Sequence, residues 1–311
     1  MGTAHAAAYA AMPEAVVAGV FSRDPARAAA VAAICNARPF TDAAELIQRS
    51  DVDAVDVCLP SAVHHDAVIP ALEAGKHVFC ESPLALDLDQ AERMCNAARR
   101  ADRLLQVGLL MRSVAAYEHV EAAARSGEHG RLLSVATWRL GSYLRADAPD
   151  RKEHYGDPST ELMTFDFDFV HWLMGEPQSL SASAAHTPDG RPGEISALLS
   201  YPGGRHATVI ASGLMPPGSA FTVGFRALFE RAAFEHLTTF STMPPDSSFT
   251  ITAGTAPARP VPVINRNPYE VELQRFVDCI KGRVDPALLD ADRAIEALHL
   301  SLATQRAIRK I

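Results

Sequence analysis

Short runs of continuously apolar residues alternate with helical patterns over about the first hundred residues. Ala15–Phe21 reads as a buried strand, and Ser22-Arg23-Asp24-Pro25 then opens an Ala-rich helix with Pro25 in its first turn. Ala37–Phe40 is a short strand, followed by Thr41 as the N-cap of a helix over Asp42–Arg49. A strand at Val55–Leu59, a helix from about His64 to Ala74, a strand at His77–Cys80, a helix at Leu88–Arg100 and a strand at Leu104–Val107 continue the rhythm. Strands that are apolar throughout, separated by helices, predict a parallel sheet covered on both faces.

The pattern changes after Arg112. A helix at about Ala115–Arg125 precedes a long strand, Leu132–Leu144, and Asp147–Pro158 is a polar loop. A helix over Thr160–Met174 stops at Gly175. Strand-like runs follow at Ser179–Ala185, Ile195–Tyr201, His206–Ala211, Ala220–Phe229 and Phe249–Thr252. Few helices separate them, which predicts a mostly antiparallel sheet. Helices at Tyr269–Lys281 and Ala291–Arg309 close the chain. The expected organisation is an α/β domain over residues 1–112, a Rossmann-like doubly wound parallel sheet, and an α+β domain over 113–311 for substrate and oligomer contacts.

Composition narrows the class. The chain has 311 residues, 48% of them hydrophobic and 21% charged, which suits two packed domains rather than a disordered chain. A formal net charge of -8 leaves no cationic excess for nucleic acid phosphates. The five cysteines show no C-x-x-C spacing and read as reduced thiols of a cytoplasmic protein, with no metal site. No apolar run is long enough to span a bilayer, and no signal peptide is visible.

Candidate chemistry sits at the carboxyl ends of the parallel strands, where open α/β sheets bind ligands. Ser22 and Arg23 end the first apolar run. In a dinucleotide fold this point meets the adenosine ribose, where an Arg beside a small hydroxyl residue accommodates the 2′-phosphate of NADP. Leu59-Pro60-Ser61-Ala62-Val63-His64 and Glu81-Ser82-Pro83 follow the next two strands.

The run Ala74-Gly75-Lys76-His77-Val78-Phe79-Cys80-Glu81-Ser82-Pro83 is similar to the A-G-K-H-V-x-x-E-K-P segment of the glucose–fructose oxidoreductase/inositol dehydrogenase (Gfo/Idh/MocA) family. Pro60 to His64 resembles that family's P-N-x-x-H turn. The resemblance extends to Trp172–Pro177 and to Asn267-Pro268-Tyr269-Glu270. It implies a two-domain enzyme that oxidises or reduces a sugar, cyclitol or related polyol, with NADP or NAD as cofactor in a cleft between the domains. It places Gly2, Leu59, Pro60, Ser61, His64, Glu81, Ser82 and Pro83, with Ser22 and Arg23, around that cofactor.

Three departures from the family pattern bear on activity. Met1-Gly2-Thr3-Ala4-His5 matches only the end of the usual G-x-G-x-x-G turn, with Gly2 as its last glycine. The strand before that turn would lie in mid-sheet, so either it lies upstream or the sheet has closed over the gap, and cofactor binding is expected to be weak. Ser82 stands where the family has a Lys that polarises the reacting oxygen. On the Thr160–Met174 helix, Glu161 falls at the family's Asp position and Phe165 at its His position, while Asp168 matches a frequent acid. Candidate proton-handling residues are therefore Glu161, Asp168, Tyr155 and Lys152.

The leading expectation is an NAD(P)-dependent oxidoreductase acting on a sugar-like or cyclic polyol or ketone, with altered catalytic residues. The alternative is a non-redox derivative of the same fold, a binding or partner protein or a lyase or isomerase. A sheet with one helix-covered face predicts a homodimer or homotetramer through the other face. The expected partner is a small-molecule substrate, with neither nucleic acid nor membrane.

Overall fold

The protein is described by a computed structural model over residues 1–145, 147, 157–242 and 244–308. It divides into two compact units: Met1–Ser113 with Arg266–Ile295, and Val114–Asn265 with Glu296–Ile311. A single cut near residue 112 therefore leaves out residues 266–295, which rejoin the first unit after the second sheet is complete.

The first unit opens directly with helix α1 (Gly2–Ala10). The alternation then runs β1 (Gly19–Phe21), α2 (Pro25–Ile34), β2 (Arg38–Phe40), α3 (Ala43–Ile47), β3 (Ala54–Val57), α4 (His64–Glu73), β4 (His77–Cys80), α5 (Leu88–Ala101) and β5 (Leu105–Val107). Local chemistry sets several starts. The Asp24 carboxylate accepts from the N–H groups of Ala26 and Arg27, Asp42 caps α3, and Asp87 caps α5. The left-handed Asp102 ends α5.

Every strand pair in this unit is parallel, as the continuous apolar runs require. The sheet is nevertheless interrupted. β1 pairs with β2 alone, and β3–β4–β5 form a separate three-stranded sheet. Among the described residues β1 pairs only with β2 and β3 only with β4, so no strand joins the two pieces. Burial follows this break. Val78, Phe79 and Cys80 of β4 are fully buried, whereas all of β1 and Ala54 to Asp56 of β3 are half-buried. The expected strand Ala15–Phe21 shrinks to three residues, and Val16 is 91% exposed, because one edge has nothing to pair with.

The second unit holds α6 (Ala115–Ser126), β6 (Leu132–Leu140), α7 (Pro158–Glu161), α8 (Met163–Met174), β7 (Ser179–His186), β8 (Pro192–Ser200), β9 (His206–Ser212), β10 (Thr222–Phe229), β11 (Ala232–Thr239), β12 (Asp246–Ala253) and β13 (Arg259–Pro260). These strands form one sheet in the order β13-β12-β11-β10-β6-β9-β8-β7. All its pairs are antiparallel except β6 with β9. The helices between β6 and the β7–β8 hairpin bring β9 back beside β6 in the same direction. The sequence reading passed over β11, whose Phe234, His236 and Leu237 were hidden among polar neighbours.

One sheet face is covered. Tyr117 of α6, Phe169 of α8 and Phe225 of β10 meet with ring centroids 4.5–5.1 Å apart. On the other face Leu198, Leu228 and Leu237 are 39–43% exposed. There Trp138 lies across Gly224, where an added Cβ would come 2.5 Å from Trp138 Cζ2 and 2.7 Å from the His236 carbonyl oxygen. Two helices complete the chain, α9 (Pro268–Ile280), which belongs to the first unit, and α10 (Ala291–Ile308). No described helix is long and apolar enough to cross a membrane.

Candidate functional site

In the first unit the residues expected around a cofactor gather at the ends of β3 and β4. Gly2 starts α1 against Cys58, and a Cβ there would meet the Cys58 Cβ at 3.8 Å. Met1 provides no side-chain cap, and the first turn of α1 has no acid. The Ala4 and His5 N–H groups turn back to the Met1 carbonyl oxygen, which leaves those of Gly2 and Thr3 to meet an anion. Leu59 and Pro60 lead from β3 into a short 3-10 turn, Ser61–Val63. His64, 1% exposed, pins this turn to the next one. Its Nε2 lies 2.7 Å from the Leu59 carbonyl oxygen and its Nδ1 3.2 Å from that of Leu84. Burial lowers its pKa, so the ring is neutral with one N–H, and the shorter contact marks Nε2 as the donor.

Glu81 leaves β4 buried, and its Oε2 accepts the N–H of Ser82 at 3.1 Å. The Ser82–Pro83 bond is cis. Ser22 and Arg23 stand at the end of β1, in the two-stranded piece. The Ser22 hydroxyl accepts the Asp24 N–H, and Arg23 is exposed. The structure thus brings Gly2, Leu59, Pro60, Ser61, His64, Glu81, Ser82 and Pro83 together across the β3 and β4 ends. Ser22 and Arg23 remain on the separate sheet.

A group that the sequence reading missed occupies the centre of this unit. His5 Nδ1 lies 2.8 Å from Asp56 Oδ2, and Nε2 lies 2.7 Å from Glu81 Oε1. Burial alone would strip the His5 proton, but hydrogen bonding to Asp56, Cys58 and Glu81 wins and raises its pKa far above neutrality. Burial pushes the Cys58 thiol up to about 12, helped by the charge on Asp56, so it stays protonated. Glu272 of α9 is completely buried, and neither carboxylate oxygen has a hydrogen-bond partner. Burial first, and Glu81 second, push its pKa well up, so it is neutral. The donor atoms of His5, Glu81 and Glu272 fall within 4.8 Å of one another, as do those of His5, Asp56 and Cys58. Of the two imidazole nitrogens, Nδ1 is hydrogen-bonded to Asp56, and Nε2 makes a close ion-pair contact with Glu81 in which neither atom has an aligned hydrogen-bond partner.

Two sequence signals could have found it. Asp56 is an acid inside an otherwise apolar strand. Glu272 stands four residues before Phe276, on the buried stripe of α9 with Leu273.

In the second unit the expected helix Thr160–Met174 is broken. The Asp157 carboxylate caps α7 at Ser159, Pro158 takes the first position, and the chain re-enters α8 after Leu162. Glu161 is the half-buried last residue of α7, and Asp168 is 2% exposed and engaged by neighbours. Lys152 and Tyr155 lie outside the described residues. Asp166 of this helix forms a buried ion pair, its Oδ2 accepting from Arg139 Nε at 2.7 Å. The Arg139 guanidinium also lies 4.9 Å from the Phe165 ring centroid. Burial outweighs the attraction of Arg139 and raises the Asp166 pKa to about 6.

With this geometry in hand, comparison with known proteins places the chain. Residues 1–109 match the profile described as an oxidoreductase family with an NAD-binding Rossmann fold, and residues 117–235 match the GFO/IDH/MocA C-terminal domain. The chain is 27% identical over 282 residues to 1,5-anhydro-D-fructose reductase of Ensifer adhaerens, covering 87% of this chain and 81% of that one. It is 31% identical over 163 residues to inositol 2-dehydrogenase of Corynebacterium glutamicum, covering 51% of this chain and 46% of that protein, so this match spans about half the relative's length. Among solved structures, UDP-N-acetylglucosamine 3-dehydrogenase from Acidithiobacillus ferrooxidans superposes with a TM-score of 0.84 at 23% identity, covering 100% of this chain and 95% of that one. Parallel first sheet, mostly antiparallel second sheet and both matched profiles agree: the chain belongs to the Gfo/Idh/MocA family of NAD-binding oxidoreductases.

Proposed function

We propose that this protein is an NAD(P)-dependent oxidoreductase that transfers a hydride to or from a sugar-like or cyclic polyol or ketone. The observation that carries the reading is the convergence, on one end of a parallel sheet, of an uncapped helix N-terminus at Gly2 with the Leu59–Ser61 and Glu81–Pro83 turns. Those amides fit a pyrophosphate, and the two turns fit the nicotinamide half. Ser22 and Arg23 fit the adenosine ribose, with Arg23 suited to a 2′-phosphate. A bound nicotinamide supplies or accepts the hydride. The relatives named above all act on ring sugars or cyclitols by name, which supports that substrate class here.

The protein's own share is binding and proton handling. Ser82 carries no charge and can only relay a proton. Phe165 can relay none, and its ring is covered by Arg139. Glu161, Asp168, Tyr155 and Lys152 are the side chains we assign to the substrate's hydroxyl proton. The open face of the second sheet, with Trp138, Leu198, Leu228 and Leu237, is the surface we assign to a homodimer or homotetramer. We infer a cytoplasmic protein.

A second reading has its own support. With Ser82 and Phe165 both unable to replace a lysine–histidine pair, a cleft that binds the nucleotide without turning it over is a non-redox derivative. Steady-state absorbance of the reduced nicotinamide, followed with myo-inositol, anhydrosugars and sugar-nucleotide substrates, separates the two. Turnover of any of them supports the oxidoreductase. Nucleotide binding without turnover across that panel supports the second reading.

A further inference from the structure

His5 joins two elements that the sequence separates by some seventy-five positions. It stands three residues beyond Gly2, on the first turns of α1. Its imidazole reaches Asp56 on β3 and Glu81 beyond β4 at 2.8 and 2.7 Å. Nδ1 is hydrogen-bonded to Asp56, Nε2 faces Glu81 as a close ion-pair contact, and these carboxylate neighbours hold the proton on the ring against burial. The ring is wedged by aromatic neighbours, with Phe79 at 5.9 Å and Tyr269 at 5.6 Å between centroids. It is 2% exposed. Around it, burial raises the pKa of Glu272 well up and pushes the Cys58 thiol up to about 12, so neither adds a second negative charge beside the ring at neutral pH.

The far end of this clamp holds backbone. Glu81 faces His5 with Oε1 and receives the Ser82 N–H with Oε2. A Cβ on Gly108 would stand 3.1 Å from that same Oε2, so the β5 end leaves just enough space for the carboxylate. The position of the Ser82 backbone therefore depends on a carboxylate whose orientation depends on His5.

We propose that His5 is a positioning residue for the dinucleotide: clamped between Asp56 and Glu81, it locks the start of α1 to the Glu81–Ser82–Pro83 segment. The amides that meet the pyrophosphate and the segment that meets the nicotinamide are then held in one register. The proposal rests on the redox reading above and adds a role to a side chain that touches neither substrate nor cofactor. Its energetic logic is pre-organisation. Without the clamp, the two half-sites bind their halves of the ligand separately, and ordering one against the other is charged to binding.

That logic gives a test in which a merely structural role behaves differently. Calorimetric titrations compare NADH or NADPH with ADP-ribose, which carries the pyrophosphate but no nicotinamide, on the unaltered chain, on His5→Gln and on Glu81→Gln. Gln at either position keeps the approximate size and removes one charge of the clamp, and the second variant serves if the first fails to fold. The expected result is that each variant loses on the order of tenfold in affinity for the reduced dinucleotide, about 1.4 kcal/mol, while ADP-ribose binds within about twofold of the unaltered chain. Equal losses for both ligands overturn the proposal, because they describe general damage, and so does no loss for either. Absence of dinucleotide binding to the unaltered chain is a separate result that sinks the redox reading, and the positioning role with it.

Discussion

Asp166 gives the most quantitative handle on the helix that carries the expected proton-handling residues. Its carboxyl is wholly buried, and its pKa in the folded protein is raised from 3.8 to about 6 because burial outweighs the attraction of Arg139. For a folded pKa raised above the unfolded value, the contribution to stability is fully present below pH 3.8 and is lost as pH rises through about 6. At about pH 4 the folded carboxyl is protonated while roughly half the unfolded population is ionised. At about pH 7 both are ionised. The swing between these conditions is about 2 kcal/mol. Asp166→Asn keeps the shape and an acceptor for Arg139 but cannot ionise. The stability of Asp166→Asn minus that of the unaltered chain should therefore move in favour of Asn by about 2 kcal/mol from pH 4 to pH 7. Taking the difference cancels every titrating group except those coupled to this one. Urea unfolding followed by tryptophan fluorescence suits the question, since the two tryptophans, Trp138 and Trp172, both lie in the second unit. A difference that is the same at both pH values would refute the reasoning, and would mean that Arg139 fully offsets the burial of the carboxylate.

Other predictions address separate parts of the molecule. Glu272→Gln, a neutral isostere of a neutral acid, should leave the unfolding free energy at pH 7 within about 1 kcal/mol, and a loss of 3 kcal/mol or more in denaturant titration would show that Glu272 is ionised. Gly224→Ala should destabilise by roughly 1–3 kcal/mol, read as a lower unfolding temperature, because the methyl group meets both Trp138 and the backbone carbonyl of His236. Ser82→Lys should raise turnover on any accepted polyol by about tenfold or more, since a lysine can polarise the reacting oxygen and a serine cannot, and unchanged turnover would place proton transfer elsewhere.

How much of this was legible in the sequence depended on whether the signal was local. Capping acids and prolines placed most helix starts within a residue or two, and strand alternation such as Ile195, Ala197 and Leu199 marked the buried face of β8 directly. The division of the first sheet into two pieces was not legible locally, since nothing in Ala15–Phe21 says which strands it pairs with. The cost appears as exposure of Val16 and half-burial of β1. The break between α7 and α8 was hidden because Glu161-Leu162-Met163 carries a normal helical pattern. The His5 cluster was the least visible part, because its members come from α1, β3, the segment just beyond β4 and α9, and each looks ordinary in its own stretch. Only the fold puts one imidazole between two carboxylates.

The central claim is that the first unit holds a nicotinamide dinucleotide, although its sheet is divided between β1 and β3. Calorimetric titration of the unaltered chain with NADH and with NADPH tests it directly. The account predicts one nucleotide per chain with a dissociation constant between about 1 μM and 1 mM. No heat of binding from either nucleotide at millimolar concentration would contradict it.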